Sequence, residues 1–119
     1  MIVSYPQLRN KGDKTDAVIE TIDIFPTLCE LAGIKAPQYA HGQSLTEILN
    51  DPSVDGHPVV AYQQGSATIR TTTHRLILHD DGYTELYDHT SEHAESKNIA
   101  LQYPVIVEEL KRTLIAKMN

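Results

Sequence analysis

Residues 59–88 read VVAYQQGSATIRTTTHRLILHDDGYTELYD, and this stretch decides the fold. Val59–Tyr62, Ala67–Thr72, Arg75–His79 and Tyr83–Asp88 are short runs rich in β-branched and aromatic residues, and ATIRTT alternates its faces. Such runs suit a pleated, half-buried surface. Asp81-Gly82 between the last two predicts a two-residue hairpin in which both positions take positive φ. Thr73-His74 marks a second turn. Connections this short join antiparallel strands, because a parallel return needs a crossover of about a dozen residues. The segment is therefore an antiparallel meander of about four strands.

Downstream, residues 89–103 are a polar connection, and Pro104 opens a helix to about Lys117. Val107, Leu110, Leu114 and Met118 recur at spacings of three and four, which gives one apolar face. The expected fold class is α+β, a small antiparallel sheet with a packed C-terminal helix. Upstream, Met1–Tyr5 is strand-like until Pro6, and Val18–Ile22 suits a short strand or an extended entry. Asp23 reads as a helix N-cap, with Pro26 in the first turn and Phe25, Leu28, Cys29, Leu31 and Ala32 as an apolar stripe. Gly33 supplies a left-handed stop. Ser44-Leu45-Thr46-Glu47 fits a capping box before a brief helix that ends near Pro52.

The 119 residues suffice for about one domain. The net charge of −6 argues against nucleic acid and anionic membranes as partners, since both demand clustered Lys and Arg. The basic residues are scattered, and only Lys111-Arg112 are adjacent. One cysteine excludes an internal disulfide and a thiolate zinc site. No apolar run reaches the roughly 20 residues of a membrane span.

Cys29 lies on an apolar stripe and reads as a packing residue. His89 and His93 are four apart but not in a helical pattern, which leaves them as solvated loop histidines. Asp80-Asp81-Gly82 starts like a calcium loop but lacks the later oxygen ligands.

Three stretches together resemble the C-terminal third of sulfatases, within the alkaline-phosphatase superfamily. They are Val18–Gly33 (VIETIDIFPTLCELAG), Gly42-Gln43-Ser44-Leu45, and Ala67–Arg75 followed by Glu85–Ala100 (ELYDHTSEHAESKNIA). The wording IDIFPTLCELAG and SATIRTT is similar to iduronate-2-sulfatase-like members. The resemblance implies that residues 1–52 are the remnant of a large α/β domain and residues 53–119 a C-terminal subdomain. It also implies, for the full-length enzyme, a calcium ion and a formylglycine nucleophile made from Cys or Ser in C/S-x-P-x-R.

Cys29 sits in Cys29-Glu30-Leu31-Ala32-Gly33, without the Pro or the Arg. No catalytic residue and no metal ligand is carried over to this chain, so alone it is expected to be inactive. The implied partners are an N-terminal catalytic domain and a sulfate ester, carbohydrate-borne in some members. An apolar docking face is expected, through which the isolated chain would dimerise. For the full-length protein the resemblance implies a periplasmic, secreted or lysosomal location, and the sequence itself does not say which. Gln63, Gln64, Arg70 and His74 are the candidates for substrate contact at the cleft rim, with Arg70 suited to a sulfate or carboxylate of the substrate or, alternatively, to an acidic group across the domain interface. The alternatives are the same subdomain of a phosphonate or phosphodiester hydrolase, and a free-standing binding or oligomerisation module.

Overall fold

The computed structural model describes Met1 to Met118. The chain divides into two compact units, Met1–His57 and Pro58–Asn119.

The second unit holds the predicted meander. Strands β1 (Val59–Gln63), β2 (Ser66–Arg70), β3 (His74–His79) and β4 (Thr84–Asp88) pair antiparallel in the order β1-β2-β3-β4. The register places Ile69 opposite Leu76 and Leu76 opposite Leu86. This row of three fully buried side chains crosses the sheet, and the C-terminal helix (Pro104–Met118) lays Leu110 and Leu114 over it. Each such burial stabilises by about 1.5–3 kcal/mol. Met118, expected on the same face, is 51% exposed at the helix end.

Asn98 explains the Asn-Ile-Ala ending of the quoted motif. Its Oδ1 accepts from Leu86 N (3.0 Å) and its Nδ2 donates to Thr84 O (3.1 Å), while Ile99 N donates to Leu86 O (2.8 Å). The side chain thus substitutes for a neighbouring strand along β4, whose edge groups would otherwise be open.

The β3–β4 connection differs from the two-residue turn predicted. It is a three-residue loop, Asp80-Asp81-Gly82, in which Gly82 alone has positive φ (88°). Gly82 N donates to His79 O and His79 N to Tyr83 O, both at 2.9 Å. Asp81 is an acceptor here, taking Tyr83 N on Oδ1 (2.8 Å). The extra residue lets only the last loop position go left-handed, the pattern of a tight turn followed by a bulge.

In the first unit, a 3-10 turn (Thr21–Asp23) leads into helix α1 (Ile24–Leu31). Helix α1 ends as expected: Gly33 has φ 68°, Gly33 N donates to Glu30 O and Ile34 N to Cys29 O, a Schellman closure. Its apolar side is open, with Ile24, Phe25, Leu28 and Leu31 between 38% and 59% exposed. The short helix α2 (Thr46–Asn50) starts at Leu45 rather than Ser44 and has no side-chain cap bond. Ser44 Oγ instead accepts Thr46 N two residues on (3.3 Å), so the expected box with Glu47 does not form. Met1–Tyr5 and Val18–Ile22 belong to no strand: neither segment has a ladder partner among the described residues.

Candidate functional site

Asp23 occupies the expected N-cap position of α1, but its side chain does not cap that helix. The carboxylate makes no cap bond to α1 and is 0% exposed. It turns back instead. Oδ2 accepts Glu20 N (2.7 Å) and faces His57 Nε2 (2.8 Å), while Oδ1 accepts Gln43 N (2.8 Å). Glu20 returns the favour through its own carboxylate on Asp23 N, a capping box on the 3-10 turn that is not anticipated from the sequence. Thr27 Oγ1 donates to Asp23 O (2.6 Å) and accepts Leu45 N (2.9 Å). One buried carboxylate and one buried hydroxyl thus tie three segments together.

Two glycines allow that approach. A Cβ on Gly42 would lie 2.2 Å from Ile22 O, and one on Gly56 only 1.9 Å from Val18 O. Both obstacles are backbone, so neither site has room for a side chain.

Glu20, Asp23 and His57 place ligating atoms within 4.8 Å of one another. They do not fit calcium, which takes six to eight oxygens at about 2.3–2.6 Å. Asp23 already faces two backbone N–H groups and an imidazole nitrogen, and a cation there would meet those donors head-on. Cys29, half-buried on α1 and followed by Glu-Leu-Ala, likewise does not fit the formylglycine precursor.

The second cluster lies in the Pro58–Asn119 unit, on the sheet face opposite the C-terminal helix. Arg70 and Arg75 are direct cross-strand partners at one end of β2 and β3. Arg75 Nη1 reaches both oxygens of Glu95 (3.0 and 2.9 Å), and its Nε donates to Thr68 Oγ1 (3.2 Å). His89 Nε2 is 3.0 Å from Glu95 Oε1. The contact is close enough for an ion pair, but it is not aligned as a hydrogen bond. His89 is therefore held against a carboxylate and is not the solvated loop histidine expected.

Burial lowers the Arg70 guanidinium from its ordinary range, Glu95 opposes that, and Arg75 adds to it by like-charge repulsion. Burial alone would raise Glu95, but the hydrogen bond and charge of Arg75, then His89, hold it below the usual carboxylate range. Further along the same face, Glu85 accepts from Tyr87 Oη and meets His79 Nε2 at 2.6 Å. Those two hydrogen bonds lower Glu85, and the same bond raises Tyr87 to about 12.

The four residues predicted at a cleft rim do not converge. Arg70 and His74 share the β2–β3 end, where Arg70 Nη1 donates to Thr71 O and lies 3.5 Å from His74 O. Gln63 ends β1 and Gln64 is in the β1–β2 turn, at the other end of β2. Arg75 and Glu95 are not singled out from the sequence, and His89 reads there only as a loop histidine. The only signal for them was the register that pairs Arg70 with Arg75, which a strand count alone does not supply.

Residues 1–119 match the family described as N-sulphoglucosamine sulphohydrolase, C-terminal. A sulfatase of Formosa agariphila is 32% identical over 92% of this chain and 22% of its own length. A delta 4,5-hexuronate-2-O-sulfatase of Bacteroides thetaiotaomicron is 33% identical over 83% of this chain and 23% of its own. A solved 2-O GAG sulfatase superposes with a TM-score of 0.62 at 28% identity, over 81% of this chain and 23% of that one. The chain spans about a quarter of the length of the curated relatives it matches. No helix among the described residues is long and apolar enough to cross a membrane. With a profile match along its whole length and the α+β architecture to go with it, this chain belongs to the sulfatase C-terminal family.

Proposed function

We propose that this chain is the supporting lobe of a sulfatase that hydrolyses a sulfate ester on a saccharide, and that it catalyses nothing alone. The observation that carries the reading is a mismatch. The family match runs the full length of the chain, yet its one cysteine lacks the C/S-x-P-x-R setting and its one Glu-Asp-His cluster is filled by internal hydrogen bonds. In this reading the formylglycine and the calcium ion belong to a larger N-terminal α/β domain, with residues 1–52 as that domain's last segments and 53–119 as the subdomain.

The exposed side of α1 supports docking onto such a domain. Phe25, Leu28 and Leu31 are 38% to 59% exposed on an eight-residue helix closed at its C-terminus by Gly33. Dimerisation of the isolated chain through the same face is the competing occupancy. Arg70, with His74 beside it, is placed as a rim contact for an anionic substrate group; Gln63 and Gln64 would serve a separate contact at the far end of the sheet. The names of two relatives, a hexuronate-2-O-sulfatase and a 2-O GAG sulfatase, favour a 2-O-sulfated uronate, in line with the iduronate-2-sulfatase-like wording.

The test compares 4-methylumbelliferyl sulfate hydrolysis by the chain alone with that by a polypeptide joining it to an upstream domain bearing C/S-x-P-x-R. Turnover is expected from the second only. Hydrolysis by the chain alone, or none by the joined protein with a converted nucleophile, overturns the reading.

A further inference from the structure

We propose that Arg70 and Arg75 form an oxyanion subsite, for the sulfate or carboxylate of a saccharide, and that Glu95 is an internal counterion which the ligand displaces. The starting point is an arrangement that costs stability. Two arginines are direct cross-strand partners on antiparallel strands, where like charges repel. The chain as a whole carries −6, so cations are scarce, yet two meet at one strand end. One carboxylate answers both: Glu95 bonds Arg75 and acts on Arg70 through its charge. The other nearby acid on this face, Glu85, is hydrogen-bonded to Tyr87 and His79 and reaches Arg75 only through its charge.

How Glu95 gets there is the second observation. It follows Ala94, the only non-glycine residue with positive φ (42°) among those described, and itself departs from helical angles at φ −91°, ψ 18°. A left-handed alanine is strained relative to the right-handed form. The strained residue immediately precedes the carboxylate that meets Arg75. The third observation is His89. Its Nε2 is buried without an aligned hydrogen-bond partner and points at the same carboxylate. A tetrahedral or planar oxyanion in place of Glu95 offers several acceptor directions to two guanidinia and an imidazole, where one tethered carboxylate satisfies only Arg75 well.

The anion chemistry stands on this geometry alone; the saccharide carrier rests on the sulfatase reading above. The test follows the Nε–Hε resonances of Arg70 and Arg75 by NMR as inorganic sulfate is added to the chain, with chloride at matched ionic strength as control. Saturable shifts with sulfate and not with chloride are expected. Glu95→Gln should bind sulfate about tenfold more tightly because the competitor is gone, and Arg75→Gln should lose saturable binding. Glu95→Gln alone decides the matter if Arg75→Gln does not fold. A 2-O-sulfated uronate disaccharide and its unsulfated counterpart then separate sulfate from carboxylate recognition.

Shifts that track ionic strength equally for both salts overturn the proposal, as does Glu95→Gln binding no tighter than wild type. Sulfate binding by a chain whose joined protein hydrolyses no sulfate ester would keep the subsite and discard the sulfatase reading. Hydrolysis without any sulfate response at the two arginines would do the reverse.

Discussion

Replacing Asp23 should cost more than replacing any exposed acid in the chain, and the amount follows from its partners. The carboxylate takes two backbone N–H groups and His57 Nε2, all between 2.7 and 2.8 Å, with no exposed surface. Hydrogen bonds to a charged group contribute about 1.5–3 kcal/mol each. The gross figure for three is about 4.5–9 kcal/mol, and burying the carboxylate offsets several of those. Asp23→Ala therefore should destabilise the first unit by about 3–5 kcal/mol, leaving two backbone donors unmet.

Asp23→Asn separates charge from shape. Its best orientation keeps the amide oxygen on Glu20 N and His57 and turns the amide nitrogen against Gln43 N–H, losing one bond and opposing two donors. About 2–3 kcal/mol is expected. His57→Ala removes one contact of the three and should cost about 1–2 kcal/mol, and the double variant with Asp23→Ala should fall short of additivity by about that amount. Urea unfolding followed by circular dichroism measures the totals, since the chain has no Trp. Amide exchange at Gln43 and Glu20 reports the site itself, and both should lose protection in Asp23→Ala. If Asp23→Ala stays within about 1 kcal/mol of wild type with the Gln43 amide still protected, the tie is not what holds these segments together.

Other expectations follow from the same contacts. Gly42→Ala and Gly56→Ala each drive a methyl into backbone at 2.2 and 1.9 Å, and each should cost about 3 kcal/mol or more in urea melts, unlike Gly12→Ala, which meets no atom within 4 Å but has φ 88° and pays only for its backbone. Asn98→Ala opens the β4 edge and should lose about 1–3 kcal/mol, with faster amide exchange at Leu86 as the local sign. Glu85 has a folded-state pKa below its ordinary 4.5 because Tyr87 and His79 bond its ionised form. The unfolded chain then binds the proton first as pH falls, so the stabilisation is complete above about 4.5 and disappears below it. Glu85→Gln should flatten that acid limb in urea melts run across the range, and Tyr87→Phe should move the Glu85 carboxyl titration back toward its ordinary range. Tyr87 works in the opposite sense: raised from 10.0 to about 12, it contributes stability below its ordinary pKa that is lost as pH climbs through the folded value.

What was legible in the sequence divides along a physical line. Alternation and helical period are local, and they located all four strands and the C-terminal helix to within a few residues. The row Ile69-Leu76-Leu86 follows from that alternation once the turns are placed, and Gly33 could be read as a helix stop because left-handed backbone is a property of one residue. Asp23 could not be read correctly in the same way. A carboxylate before an apolar helix has one possible local partner in the next turn, another in the upstream Glu20 amide, and two distant ones in Gln43 and His57. The upstream and distant partners prevail together because they bury the charge with three close contacts.

The same distinction separates Arg70 from its neighbours. As a lone residue in a strand it suits a substrate or a partner equally, and nothing local says which. The information lies in two long-range facts, the register that sets Arg75 across from it and the left-handed Ala94 that brings Glu95 over from a different loop. Two cations meet at this strand end, with Glu95 bonded to Arg75 and Glu85 acting on it through its charge, and the repulsion between the arginines is what the proposed anion would relieve. Exchanging either arginine for a neutral residue would remove that repulsion and spare the hydrophobic row on the other face. It would also break the bonds of Arg70 to Thr71 O or of Arg75 to Thr68 and Glu95, so anion binding and not stability separates a subsite from a strut.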